Sequence, residues 1–416
     1  MNLKILKVAW FLGFRQIRHS SIWTTVLISF VMMLTFMNLV VVTGILVGLI
    51  EGSVTAYRNQ FTGDVFISTP TGEEYIEGSN DIISILAGLP GVAGFSTRMT
   101  ESGTIEANYR VRRDPDALRD QVGTRIAGID PVREDAVTGL SRFVIAGEYL
   151  APNDDGYILI GANLLEEYAP DFGEGFDTID NVKPGTRVRL KIGERQREYV
   201  VKGVIDSKVD ETARRAFMTE SDFVRFAGRT NLNVNEISIV AVDTNTAVSI
   251  KSGLLASGVG KTAVVRLSRE GLPQSLEDII STFNFLGNII SSIGLIVASI
   301  TVFIVVFVNA ITRRKYIGIL KGIGIEGLAI ELSYVMQSLF YALVGSGLAI
   351  IIIYGFLVPW FTAHPIDFPF SDGILVAPIL GTVIRLFILL VATVIAGYIP
   401  AWLIIKKNTL DSILGR

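Results

Sequence analysis

Two stretches of 34 residues without a charged side chain, Ile279 to Thr312 and Leu332 to Pro365, constrain this chain more than any other feature. A helix of about 20 apolar residues crosses a hydrocarbon core of roughly 30 Å. Ile22 to Ile50 adds 29 uncharged residues, and Leu386 to Ile405 adds 20. Four transmembrane helices are therefore predicted, at 22–50, 279–312, 332–361 and 386–405. The first run is too long for the apolar part of a secretory leader and lacks a small-residue cleavage pattern, so it reads as a retained anchor. Composition agrees. Half of the residues are hydrophobic, only 19% are charged and the mean hydropathy is +0.49.

Orientation follows from basic residues near the helix ends. Residues 1–21 carry Lys4, Lys7, Arg15 and Arg18 with no acid, and their apolar positions fit a helix lying in the cytoplasmic interface. The link 313–331 carries Arg313, Arg314, Lys315 and Lys321, and the tail 406–416 carries Lys406, Lys407 and Arg416. The loop 362–385 offers two aspartates before Arg385, and that arginine reads as a side chain snorkelling at the outer interface. Both termini are expected in the cytoplasm.

Residues 51–278 are then extracytoplasmic. They hold 25 basic and 35 acidic side chains, and 228 residues suffice for a folded domain. Period-two alternation at Asp64–Ser68, Arg187–Ile192 and Tyr199–Ile205, with turns such as Lys183-Pro184-Gly185, indicates half-buried strands. Helical patterns at Asp81–Leu89 and Asn163–Tyr168 interleave with them. The predicted architecture is an α-helical membrane protein with four transmembrane helices and a large α+β extracytoplasmic domain inserted between the first and second.

Chemistry is sparse. There is no cysteine, and His19 and His364, the only histidines, lie far apart, which disfavours thiolate, His-metal and Ser-His-Asp sites. A net charge of −3 gives no reason to expect a nucleic-acid partner. Gly258-Val259-Gly260-Lys261-Thr262 lacks the first glycine of a phosphate-binding loop, whose place is taken by Leu255, and reads as a surface turn. Glu73-Glu74, Asp154-Asp155 and Glu166-Glu167 read as solvated acidic surface. No catalytic, cofactor or metal residue is assigned, and no enzyme activity is expected of this chain. Gly287, Ser291, Ser292, Gly294, Ala298 and Ser299, with Gly345, Gly347 and Ala349, let helices approach closely.

The most specific segment is Arg313-Arg314-Lys315-Tyr316-Ile317-Gly318-Ile319-Leu320-Lys321-Gly322-Ile323-Gly324. Positive-inside charge explains its basic residues, whereas Ile317, Ile319, Leu320 and Ile323 want something to pack on. A short helix seated in a partner's groove supplies it.

This stretch resembles the coupling helix of permeases in the MacB/FtsX superfamily of ABC transporters. Gly397-Tyr398-Ile399-Pro400-Ala401-Trp402 and Asn408-Thr409-Leu410-Asp411-Ser412-Ile413-Leu414 resemble that family's closing motif and tail. Leu86 to Val92, Gly128-Ile129-Asp130-Pro131, and Gly147-Glu148-Tyr149-Leu150 leading to Ile158-Leu159-Ile160-Gly161 resemble the lipoprotein-releasing branch, LolC and LolE.

The resemblance implies a permease subunit of the inner membrane that works by mechanotransmission. A separate cytoplasmic ATPase would bind the ATP, and a second permease subunit, identical or paralogous, would complete the dimer. Arg313, Arg314, Lys315, Tyr316, Ile317, Gly318, Leu320, Lys321 and Gly324 would form the ATPase-coupling site. Tyr316 stands where the family commonly has an acidic residue. An inserted strand-rich part is implied near 135–235. Release of lipoproteins or other lipid-linked substrates, with a periplasmic chaperone, is the first functional reading. MacB- or DevC-like efflux through a periplasmic adaptor and FtsX-like signalling to an extracellular hydrolase are the alternatives. Leu320→Asp is expected to uncouple the ATPase without unfolding the outer domain.

Overall fold

The computed structural model describes residues 3–109, 119–168, 177–243, 245–368, 371–373 and 375–406. In chain order, α1 (Leu3–Arg18) and α2 (Ile22–Tyr57) precede β1 (Val65–Ser68), α3 (Ser79–Gly88), β2 (Val92–Glu106) and β3 (Gln121–Ile129). Next come α4 (Pro131–Thr138), β4 (Val144–Gly147), β5 (Tyr157–Gly161), β6 (Arg187–Ile192) and β7 (Arg195–Ile205). Then follow α5 (Asp210–Ala213), β8 (Arg215–Thr219), α6 (Glu220–Ala227), β9 (Glu236–Ala241), α7 (Thr246–Ala256) and β10 (Val264–Leu267). The chain closes with α8 (Gln274–Thr312), α9 (Arg314–Gly322), α10 (Gly327–Ile352), α11 (Val358–Ala363) and α12 (Ile379–Ile405). Two compact units result. A helical unit takes 1–50, 278–366 and 373–416, and a sheet-rich unit takes 51–277 and 367–372.

Among the described residues four helices are long and apolar enough to cross a membrane, and the sheet-rich segment lies between the first and second of them in the chain. The helical core is built from stripes at every fourth residue, the spacing that puts side chains on one helix face. Ile28, Met32, Phe36 and Val40 of α2 join Ala298, Val302, Val306 and Ala310 of α8, with Ile330, Tyr334 and Tyr341 of α10. Small residues set the helix spacing. A Cβ on Gly345 would stand 2.7 Å from both the Met32 Cβ and the Ser29 carbonyl oxygen of α2. A Cβ on Gly397 would meet the Ser338 Oγ at 2.5 Å, so Gly397, with buried Pro400 and Ala401, seats α12 on α10. Gly345→Val should therefore force α10 off α2. Overpacking of this kind costs about 1–3 kcal/mol, and a lowered unfolding temperature of the detergent-solubilised chain would register it.

Helix ends depart from the charge-free runs. The helix α10 starts at Gly327 rather than Leu332, which makes buried Glu331 a helical residue. The helix α12 starts at Ile379, after Pro378 in extended conformation, so half-buried Arg385 lies inside the helix rather than ahead of it. Backbone caps decide these boundaries, and a count of uncharged residues does not see them.

Among its described residues the sheet-rich unit holds ten strands in one sheet, ordered β10-β1-β9-β2-β3-β8-β5-β7-β4, with β6 beside β2 and β7. Pairing is antiparallel except for β3 with β8 and β5 with β7. The strands β4 to β8 thus extend one side of the order formed by the chain's flanking strands. Residues 163–168 are not the helix that their pattern suggested. Only a single 3-10 turn forms, at Ala162–Leu164, because Leu165 leaves it to bridge Ile179. Gly258-Val259-Gly260-Lys261-Thr262 is a turn that ends on β10, with Val259 buried.

The last turn of α2 and the wider turn after it, Arg58–Thr62, are stitched into this sheet. The Gln60 Oε1 accepts from the Ser207 Oγ at 2.7 Å, and Tyr57 donates its hydroxyl to Glu211. The Phe61 carbonyl accepts from the Arg98 Nη2 at 2.8 Å and from the Ser238 Oγ at 2.7 Å. The Phe61 ring lies 4.9 Å from the Arg98 guanidinium carbon and 5.2 Å from that of Arg215. Both arginines are buried, and so are their partners Glu134 and Glu236. Burial alone would raise the Glu236 carboxyl, but Arg215 and Arg98 outweigh it and hold it down to about 2. A depressed carboxylate stabilises the fold above its unfolded value, roughly 4.3, and that support is lost as the pH falls through the folded value. The sheet-rich unit should therefore loosen between roughly pH 4.3 and pH 2, and hydrogen exchange of the β9 amides at stepped pH would show it.

Candidate functional site

The candidate site is built on α9 and its flanks. After Thr312 the chain breaks helical geometry at Arg313 and re-enters it for nine residues. The far end is closed by Gly324, whose φ of +91° is a conformation that glycine adopts without strain. There the Ile325 amide donates to the Leu320 carbonyl at 3.0 Å, and the Gly324 amide donates to the Lys321 carbonyl at 3.0 Å. This pair of hydrogen bonds is the Schellman pattern, and it explains the glycine at this position. The turn is also held by Lys321, whose Nζ donates to the Ile405 carbonyl at the end of α12.

Nine residues expected to couple to a partner are divided by this geometry. Ile317 and Gly318 are buried, and Ile317 belongs to the helical unit's own core. Leu320 is half-buried against the same core. These three pack within the chain, so Leu320→Asp also places a carboxylate against the bundle. It is not the clean surface probe that the sequence suggested. Arg313, Arg314 and Lys321 are half-buried, and Lys315 and Gly324 are exposed. Tyr316 is 70% exposed.

The open side of α9 carries Tyr316, Ile319 and Ile323, three, four and seven residues apart and therefore on one stripe. Ile323 is 72% exposed. Beside this stripe runs a cavity of about 660 Å³ whose other wall is α1, through Lys7, Val8, Phe11, Leu12 and Arg15. A second cavity, of about 540 Å³, adjoins it through Leu12, Arg15, Tyr316 and Leu320 and reaches Arg313 and, on α10, Tyr334. Two helices thus frame an apolar groove edged with cations. Such a groove suits a protein segment that offers apolar anchors and acidic neighbours.

Residues 288–409 match the family model described as FtsX-like permease C-terminal. That range takes in most of α8, all of α9, α10, α11 and α12, and the start of the tail. The closing motif at 397–402 falls on α12, whereas the tail motif at 408–414 lies outside the described residues. Among curated proteins none matches the chain. Solved structures similar to it include the following two. The periplasmic region of MacB from Actinobacillus actinomycetemcomitans is 16% identical, with a TM-score of 0.34, covering 54% of this chain and 95% of that one. The extracellular domain of the noncanonic ABC-type transporter YknZ from Gram-positive bacteria is 16% identical, with a TM-score of 0.32, covering 49% of this chain and 98% of that one.

The exposed pair Ile319 and Ile323, which the sequence marked as wanting something to pack on, was absent from the coupling residues that the resemblance implied. Their spacing with Tyr316 was readable in advance. What the sequence withheld was which stripe of an amphipathic helix its own bundle would cover.

Proposed function

We propose that this chain is the membrane subunit of an ABC transporter of the FtsX/MacB kind, working with a separate cytoplasmic ATPase. The observation that carries the reading is the exposed stripe of α9 beside the α1 groove, in a segment that matches an FtsX-like permease domain. The helix α9 directly follows one long apolar helix and directly precedes another. A load applied to it reaches both through covalent connections and the buried Ile317. With α9 and both termini in the cytoplasm, as the basic residues favour, the stripe faces the compartment that holds ATP.

The finer reading is release of lipoproteins or other lipid-linked substrates from the inner membrane, by a dimer of this chain with itself or with a paralogue. Its support is the resemblance of Leu86–Val92, Gly128–Pro131 and Gly147–Gly161 to the lipoprotein-releasing branch. The experiment is affinity purification of the tagged chain from its native membrane after mild crosslinking, with mass spectrometry of the proteins that co-purify. A stoichiometric ATPase supports the transporter reading, and no ATPase refutes it. A lipid-binding chaperone favours lipoprotein release, an adaptor favours efflux, and a hydrolase favours signalling.

A further inference from the structure

We propose that the cavity reaching Arg313 and Tyr334 is a site for the phosphate of an anionic glycerophospholipid. Its volume is about 540 Å³, and its wall includes Arg15, Gln16, His19, Arg313 and Tyr334.

Two independent observations mark it as a site rather than a packing gap. First, Tyr334 is 1% exposed, yet its hydroxyl has no hydrogen-bond partner among the described residues. Buried polar groups are normally satisfied, so a buried hydroxyl that lines a cavity and lacks a partner points to something that satisfies it. Secondly, two guanidinium groups line the cavity and, among the described residues, no acidic side chain does. Arginine's planar fork matches phosphate oxygens, and a tyrosine hydroxyl adds a neutral donor to the same anion.

A lipid, rather than a soluble phosphate, suits the surroundings. Arg313 directly follows the long apolar helix α8, and Tyr334 lies within the first eight residues of the long apolar helix α10, so the cavity sits where the apolar spans end. Trp10 is 67% exposed and Phe14 62%, as aromatic side chains at a membrane interface are. Basic residues on an interfacial helix draw anionic lipids to the same level. The cavity shares Leu12, Arg15, Tyr316 and Leu320 with the groove beside α9, so a bound lipid flanks the proposed docking stripe, while its test reads lipid and requires no ATPase.

The full chain is reconstituted in nanodiscs of phosphatidylcholine with a minor share of phosphatidylglycerol, then extracted, and its retained lipid is read by native mass spectrometry. Phosphatidylglycerol should be retained above its share in the disc. Tyr334→Phe keeps the buried ring and should weaken retention by about tenfold or more, the loss of one hydrogen bond to a charged group. Arg15→Gln, at an exposed position that leaves the core intact, should weaken it by more than about tenfold. No enrichment in the wild type, or enrichment unchanged in both variants, overturns the proposal. In discs of phosphatidylcholine alone, soluble glycerol 3-phosphate should not raise the unfolding temperature. A rise that Tyr334→Phe abolishes means the site takes a soluble phosphate, and the lipid is the wrong source. Variants that keep their lipid but lose a co-purifying protein mean the cavity docks protein, which also overturns the proposal.

Discussion

Arg98→Ala should destabilise the sheet-rich unit by about 3–5 kcal/mol, the usual effect of stripping one partner from a buried ion pair. Arg98 is 1% exposed and serves three partners at once. Its Nη2 donates to the Glu134 Oε1 at 2.7 Å and to the Phe61 carbonyl at 2.8 Å, and its Nη1 donates to the Glu236 Oε2 at 3.3 Å. Without it, Glu134 keeps, among the described residues, the hydroxyls of Ser96 and Thr138 and no cation. Glu236 would still hold Arg215, bonded through both nitrogens at 2.8 and 3.1 Å. The damage should therefore centre on α4, β2 and the turn carrying Phe61, and spread less to β8. Hydrogen exchange of the full chain would map it. Arg98→Lys should recover only part of the loss, because an ammonium cannot reproduce the forked geometry. Arg98→Met combined with Glu134→Leu removes both charges together and should recover more than Arg98→Lys. If the double variant is as unstable as Arg98→Ala, the loss comes from packing around Phe61 rather than from an unpaired carboxylate.

That network marks the limit of what the sequence discloses. Arg98 is 36 residues from Glu134 and 138 from Glu236, and no local pattern links them. The pairing of β2 with β9 sets Arg98 opposite Glu236, and the packing of α4 on β2 brings Glu134 to them. The spans were legible for the opposite reason. A run of 34 uncharged residues is a local property that the bilayer reads directly. Their ends were less so, since Gly324 in a left-handed conformation and Pro378 in an extended one fix where α10 and α12 begin. At the candidate site the alternation of basic and apolar residues announced an amphipathic helix. Assigning Ile317 to the inside and Ile319 to the outside required the positions of α8, α10 and α12.

That division gives the second large effect. Ile323→Asp, alone or with Ile319→Asp, should weaken association with the proposed ATPase by about 30-fold or more, as expected when a central apolar anchor of an interface is lost. Neither change should alter the thermal unfolding of the chain by much, because both side chains are more than half exposed. Ile317→Asp should do the reverse. It would place an unpaired carboxylate in the core shared with Ala310, Ile330 and Tyr334, where a charge is costly unless partnered. The expected result there is poor accumulation of the folded chain, with lost ATPase binding following from lost structure. Lys315→Gln, at an exposed cation outside the stripe, should have a small effect that shrinks further in high salt, since screened surface charges contribute little. The order Ile323 far above Lys315, at constant stability, is the signature of an apolar docking surface. Equal losses for the two, both vanishing in salt, would mean that charge steers the partner to this end of the bundle and that the stripe of α9 does not hold it.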